Sequence, residues 1–439
     1  MKRILLFVLA LCAALAAEAK TTRVHYRLST PCEAAAWAVV RDVPADAKGA
    51  TVYMRKAAYE GEYVYSEIVE VPSQLDDLDG DGVFDELVFA VGLNRNEPVD
   101  AWVDYSTQPV AHGYKPLVNA QMWWKNPDKT LAEKSQLSSD KDDMYRKLHH
   151  HGPAFESEYA AYRVYFDKKQ SIDTYGKKRP GLELRETMWY PTDEQLAAGY
   201  GHDNLRVFGT VSVGALKGWN PAKRRMEHIV DMRRREATIR AYGPLRTVVD
   251  MRVEGWNYGG REIDMTSRYI LYGGGSVVKV ENRISGDGVD TLLFATGVMK
   301  MRDNRTSIRH YGKEEYMYPD CWVMQTVGCD YPENDTLKWE RETVGLALWL
   351  PDRHVVSRID DAGSYLCQVR PVDGRIDYWF VMGWRKSEGN ECADEDFGTM
   401  FGANYTSFEF PRSGNYPYAE VSVERVEEPS AGRRAAARR

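Results

Sequence analysis

Between His149 and Lys178 the chain reads HHHGPAFESEYAAYRVYFDKKQSIDTYGKK, and nowhere else do histidine, glutamate, arginine and tyrosine crowd so closely. His151 closes a histidine triplet ahead of a Gly-Pro turn, and Glu156 and Glu158 follow. Tyr159 to Phe166 has the aromatic and β-branched composition of a strand. Strand side chains alternate between faces, so Tyr159, Ala161, Arg163 and Tyr165 share one face and Ala160, Tyr162, Val164 and Phe166 the other. The first face sets a cation among aromatic rings, which suits a sugar or an acidic sugar.

Several chemistries fit these residue types. Glu156 and Glu158 would sit about 6.6 Å apart along a strand, a span compatible with both retaining and inverting glycoside hydrolysis. A lyase acting on uronic acids needs a cation for the carboxylate and a base for the C5 proton, and Arg163 with a nearby His or Tyr meets that need. An epimerase needs a base and an acid across a sugar ring, for which Glu158 and His151 or His202 would serve. Strict alternation puts Glu158 and Arg163 on opposite faces, so either a bulge intervenes or only one belongs to the site. Trp189 and Tyr190 offer stacking surface, as do Trp219, Trp256 and Tyr258. Without a competent acid–base pair, the same residues describe a non-catalytic sugar-binding protein. The competing structural reading is a buried strand with salt bridges at its edge.

The sharpest motif is DLDGDGVFDE, Asp77 to Glu86. Asp77, Asp79 and Asp81 alternate, Gly82 permits a tight turn, and Asp85 returns a fourth carboxylate. Calcium takes six to eight oxygens at about 2.3–2.6 Å, drawn from alternate positions plus a backbone carbonyl. Val83 would supply that carbonyl. The loop departs from an EF-hand because Val88 stands at position twelve and strands flank it. A structural Ca2+ is the expectation. No Gly-rich phosphate loop, nucleophile elbow or zinc spacing occurs, so no organic cofactor is expected.

The elements that position these groups follow from length and pattern. The chain has 439 residues, enough for two or three domains, and 43% hydrophobic residues can build a real core. Tyr (27) and Trp (12) outweigh Phe (12), a balance that fits half-exposed binding faces. A formal charge of -7 argues against a duplex nucleic acid partner. MKRILLFVLALCAALAAEAK has the pattern of a secretory signal peptide, residues 1–19, cut after Ala19; its apolar run is too short to span a bilayer. The mature chain is thus expected outside the cytoplasm, secreted or periplasmic, with no membrane insertion. Cys321 and Cys329 are near enough in sequence for a local bridge, although buried free thiols are the simpler reading.

Short strand-like runs separated by Pro, Gly and Asp clusters predict a small β-sandwich over 20–115. Residues 116–144 read as a polar linker or long loop. LELRETMWY, Leu182 to Tyr190, reads as a strand, and Thr192 with Gln195 marks a helix start. From 145 to 425 the strands are so many that two large sheets must stack. Residues 426–439 read as a disordered basic tail.

HGPAFESEYAAYRVYFDKKQSIDTYGKK, LELRETMWY and DLDGDGVFDELVF resemble an uncharacterised family of secreted bacterial proteins, encoded beside polysaccharide-degrading enzymes and carrying a domain of unknown function. The resemblance covers nearly the whole mature chain. It implies a large domain similar to the galactose-mutarotase-like supersandwich, hence a mostly β protein with few helices and a concave sugar-binding face. It implies an oligosaccharide or polysaccharide partner but does not choose the reaction. The combined expectation is a carbohydrate-active protein of polysaccharide breakdown, lyase or hydrolase, with epimerase or binding-only alternatives.

Overall fold

The computed structural model describes residues 19–30, 34–60, 63–93, 97–311, 320–403 and 421–427. Residues 1–18 of the expected signal peptide and nearly all of the basic tail lie outside them. Strands dominate, and every strand pair is antiparallel. The α-helices among the described residues are Met144–Lys147, Leu184–Thr187, Asp193–Ala197 and Asp394–Phe401. None of them is long and apolar enough to cross a membrane.

The small sandwich forms as expected. A sheet ordered Ser422–Arg425, Thr21–Ser29, Val99–Ser106, Gly49–Glu60, Tyr63–Val71 faces a three-stranded sheet of Ala34–Val40, Glu86–Leu93 and Ser73–Asp76. Tyr26, Leu28, Val52, Leu87, Phe89 and Val103 fill the space between. The expected boundary needs one correction. Ser422–Arg425 does not belong to the large domain but pairs with the first strand, Tyr26 opposite Arg425.

The large domain is built on nine strands, in the order Gln136–Ser139, Arg234–Tyr242, Arg246–Tyr258, Arg261–Tyr272, Val278–Ser285, Arg375–Trp384, Glu342–Pro351, Cys321–Asp330, Arg305–Tyr311. Two five-stranded sheets cover one face. The first holds Val118–Gln121, Ala154–Ser157, Ala160–Val164, Ile172–Gly176 and His202–Asp203; the second holds Lys217–Asn220, Arg225–Glu227, Phe294–Met299, Ser364–Val369 and Val355–Asp360. One continuous core joins Phe155 and Tyr162 of the first to Phe294 and Leu366 of the second and to Met251, Leu348 and Phe380 of the nine. Full burial of each such side chain stabilises by roughly 1.5–3 kcal/mol. On the far face, Phe397 and Phe401 pack on Val323, Ala347 and Val381. A Cβ on Gly345 would lie 2.6 Å from the Phe401 ring, so only glycine allows that approach.

Residues 116–144 are not a linker. Val118–Gln121 is wholly buried and pairs with Ala154–Ser157, while the polar Gln136–Ser139 is the edge strand of the nine-stranded sheet. Polar composition there marks a sheet edge, where one side meets water. Trp219, Trp256 and Tyr258 are core residues and offer no stacking surface. Cys321 and Cys329 stand at opposite ends of one strand as free thiols, so no local bridge forms.

The two domains are fastened by a buried charge. Arg246 donates from Nε to Asp76 (2.7 Å) and from Nη2 to Glu86 (2.6 Å). Gln74 accepts the backbone N–H groups of Leu245 and Arg246 (2.7 and 3.0 Å). Arg246→Met would leave Asp76 without its counter-charge and Glu86 with the exposed Arg41 (3.1 Å), and breaking such a buried pair costs about 3–5 kcal/mol. Chemical denaturation should show a loss of that order; unchanged stability would mean that the junction contributes nothing.

Candidate active site

The sheet of Ala154–Ser157, Ala160–Val164 and Ile172–Gly176 has two unlike faces. Phe155, Tyr162, Val164 and Ile172 point into the main core. Alternation therefore throws Glu156, Arg163, Asp173 and Tyr175 to the other side, where they are also buried. Register sets Arg163 directly opposite Asp173, and Tyr175 opposite Asp203.

Arg163 is the hub. Its Nε and Nη2 donate to Asp173 Oδ2 (3.1 and 2.7 Å), Nη2 reaches Asp203 Oδ2 (3.0 Å), and Nη1 donates to the Tyr190 hydroxyl (2.9 Å). The Tyr165 hydroxyl accepts from Nη2 and donates to Asp173, both at 3.1 Å. Below, the Trp189 ring lies 4.4 Å from the guanidinium, and its Nε1 donates to Asp203 (3.0 Å). Burial, and next the charge of Asp173, push the Asp203 carboxyl up to about 8. Asp203 is thus biased towards its protonated form beside the Arg163–Asp173 ion pair.

Histidines and tyrosines form the rim. His151 stacks on Tyr165 with ring centres 5.7 Å apart, and His149 meets Tyr190 edge-on at 5.6 Å. His151 Nδ1 lies 2.8 Å from the Tyr145 carbonyl, so Nδ1 carries the hydrogen and Nε2 keeps its lone pair. Burial holds both imidazoles below the usual histidine range. His151 (φ 69°), Met188 (φ 51°) and Trp189 (φ 74°) all adopt left-handed backbone here. Such conformations cost roughly 1–3 kcal/mol each and concentrate at functional sites.

The structure thus gathers His151, Arg163, Tyr165 and Tyr190, buries Trp189 completely beneath Arg163 so that it offers no stacking surface, and leaves four expected residues elsewhere. Glu156 is fully buried; its oxygens take Lys177 Nζ, Asn119 Nδ2 (3.2 Å) and the N–H groups of Glu183 (2.8 Å) and Leu184 (3.0 Å). Those last two bonds start a helical turn, which is why Leu182 to Tyr190 crosses the sheet face instead of joining it as a strand. Glu158 sits in the next turn and accepts from Gly274 N (2.9 Å), so it forms no carboxylate pair with Glu156. Tyr159 is in the same turn and 48% exposed. The His202 ring contacts the Asp203 backbone carbonyl through Nδ1 (2.7 Å) but turns away from the Asp203 carboxyl, towards Glu342 (3.4 Å) and between Trp339 and Trp384. Asp173, Asp203 and His149 were missed as site residues. The signal for Asp173 was its place across the hairpin from Arg163.

In the acidic loop, oxygens of Asp77, Asp79 and Asp85 lie within 4.8 Å of one another. Asp77 is held by the N–H groups of Gly80 (2.7 Å) and Gly82 (2.9 Å). Asp81 stands outside the trio and accepts from Val83 N (2.8 Å), so it is not placed with the expected ligands.

A family described as "Domain of unknown function (DUF4861)" matches residues 48–403. No curated protein matches the chain. Among solved structures, a protein in glycosyl hydrolase family 38 from Enterococcus faecalis is similar at 8% identity and a TM-score of 0.38, over 92% of this chain and 47% of that one. An alpha-mannosidase from Enterococcus faecalis V583 gives 9% identity and 0.37, over 93% and 46%. The chain spans about half the length of both.

The raised Asp203 has a stability signature. Folding favours its protonated form, so its contribution is fully present below the ordinary carboxylate value of 3.8 and is lost as pH climbs towards 8. Wild type should therefore lose melting temperature relative to Asp203→Asn across that window. A difference that stays flat with pH would show that Asp203 is not held protonated.

Proposed function

The chain belongs to the DUF4861 family, and on that premise we propose that it is a carbohydrate-active enzyme working by proton transfer at the Arg163 site, with a uronate-containing oligosaccharide as substrate. One observation carries this reading: the carboxylates of the site are spent on Arg163, whereas the groups at the rim are a neutral histidine and a tyrosine hydroxyl. That division favours β-elimination over a carboxylate-pair mechanism. His151 Nε2 takes the proton from the carbon beside the uronate carboxyl group, the bond from the neighbouring carbon to the glycosidic oxygen breaks, and Tyr190 returns a proton to that oxygen. Arg163 occupies a lone pair of the Tyr190 oxygen, which leaves the hydroxyl hydrogen free to be donated. Burial, the main influence, holds Tyr190 above the ordinary phenol range, so it acts as acid and not as base.

Arg163 no longer suits the role of receptor for the substrate carboxylate, because Asp173 already offsets its charge. Lys169, 5.6 Å from the Tyr165 ring centre, and Lys125, whose charge is felt by both His149 and His151, supply positive potential at the rim instead. Hydrolysis is the second reading, favoured by the upward shift of the Asp203 carboxyl beside Asp173. In either case the protein is expected to be secreted and cleaved after Ala19.

The acidic loop fits a structural calcium ion. Three carboxylates converge, as a hard cation requires, and the backbone already orients Asp77. The same loop leans on the large domain through Arg240 on the Asp79 carbonyl and Leu78 on Ala241 and Ile270.

Two experiments test these readings. His151→Ala and Tyr190→Phe should each cut turnover of uronate oligosaccharides by roughly 10²–10⁴-fold while melting temperature moves by only a few degrees. The product should absorb in the ultraviolet as an unsaturated uronate; saturated products would favour hydrolysis, and near-normal rates in both variants would remove the site. A chelator should lower the melting temperature and added calcium restore it, while no change would remove the ion.

A further inference from the structure

The small sandwich turns a second polar–aromatic surface outward. On its five-stranded sheet, His25, Trp102 and Tyr53 are directly opposite one another on three adjacent strands, and Glu70 follows on the fourth. All three rings are partly exposed. His25 and Trp102 run nearly parallel (16°), with centres 5.3 Å apart. Together with Arg23, Ile68 and Val426 they line an open groove of about 1300 Å³. Ile68 is 54% exposed, unusual for isoleucine on a sheet face that has no core to fill.

The polar groups around the rings are paired, not bare. Arg23 makes two 2.6 Å bonds to Asp104, and the Arg23 guanidinium lies 5.4 Å from the Tyr53 ring centre. His25 contacts Asp100 at 2.9 Å. Arg23 is paired with Asp104, and Arg425 shares the lining with Glu427, so the groove has little excess charge to draw a polyanion. His25 and Trp102 turn one face to each other and Tyr53 turns one to Arg23, so their remaining part-exposed faces and edges, bordered by oriented donors and acceptors, supply the apolar and polar surface that a neutral sugar matches.

We infer that this groove is a second carbohydrate site, one that binds neutral segments of a polysaccharide and does no chemistry. It depends on the proposed function only for the ligand class, and it shares no residue with the Arg163 site. Its role would be to hold the polymer near the Arg163 site, which raises the local substrate concentration without altering turnover of short substrates.

The test is affinity electrophoresis of the full chain in gels containing xylan, galactomannan or a soluble β-glucan, with polygalacturonate as the anionic comparison. At least one neutral polymer should retard the wild type. Trp102→Ala should weaken that retardation roughly tenfold or more, and Arg23→Ala, at a residue 60% exposed and safe for folding, should weaken it as well. His151→Ala and Tyr190→Phe should bind like wild type even where activity is lost. No retardation by any neutral polymer, unchanged binding in both groove variants, or loss of binding in the Arg163-site variants would each overturn the inference. Failure of the proposed reaction would appear separately, as missing turnover with the groove intact.

Discussion

A sheet nine strands wide has an apolar face too large to leave in water, and the rest of this molecule follows from covering it. Two smaller sheets share that task, so each must itself be apolar on one side. Phe155, Tyr162 and Val164 meet the requirement in the first of them. Because side chains alternate, meeting it forces Glu156 and Arg163 to the opposite side. The crossing segment from Leu182 to Tyr190 then closes over them as a further layer. The site is thus a consequence of how the core is covered.

Burying arginine in such a layer is costly unless its charge is matched and its hydrogens are used. Among the buried arginines of the described residues, which also include Arg235, two meet this requirement with different results. Arg246 is held by Asp76 and Glu86 at the domain junction, fully enclosed, and serves as a fastening. Arg163 also has two acidic partners, but one of its nitrogens reaches Tyr190, which is 39% exposed. Burial, more than the neighbouring Asp173, raises the Asp203 carboxyl and favours its protonated form. The first arginine stiffens; the second polarises a hydroxyl at the surface.

What could be read from the residues alone was mainly local. Alternation put Arg163 and Ala161 on one face, the Thr192–Gln195 capping box forms as expected, and the small sandwich follows the spacing of its turns. What could not be read depends on pairing across distance. Asp203 approaches Arg163 only because His202–Asp203 pairs beside Ile172–Gly176, a contact across some forty positions. LELRETMWY has strand composition, yet Glu156 draws the N–H groups of Glu183 and Leu184 into a helical turn. The crowding of His, Glu and Arg was real in sequence, but burial divided it: Glu156 became a clamp, while His151 stayed at the rim. Proximity along the chain located the region without assigning the roles.

The pairing of Ser422–Arg425 with Thr21–Ser29 also has a meaning in time. At synthesis rates of roughly 5–20 residues per second, about 400 residues separate the two partners by some 20–80 s. Throughout that interval the outer edge of Thr21–Ser29 offers unpaired N–H and C=O groups to any passing strand. The small sandwich therefore starts first and is finished last, after the large domain has been made. Closing so long a loop is slow but adds little to the entropic cost, since that cost grows only with the logarithm of length. Completion of the sheet begun first thus waits until residues 422–425 have been produced.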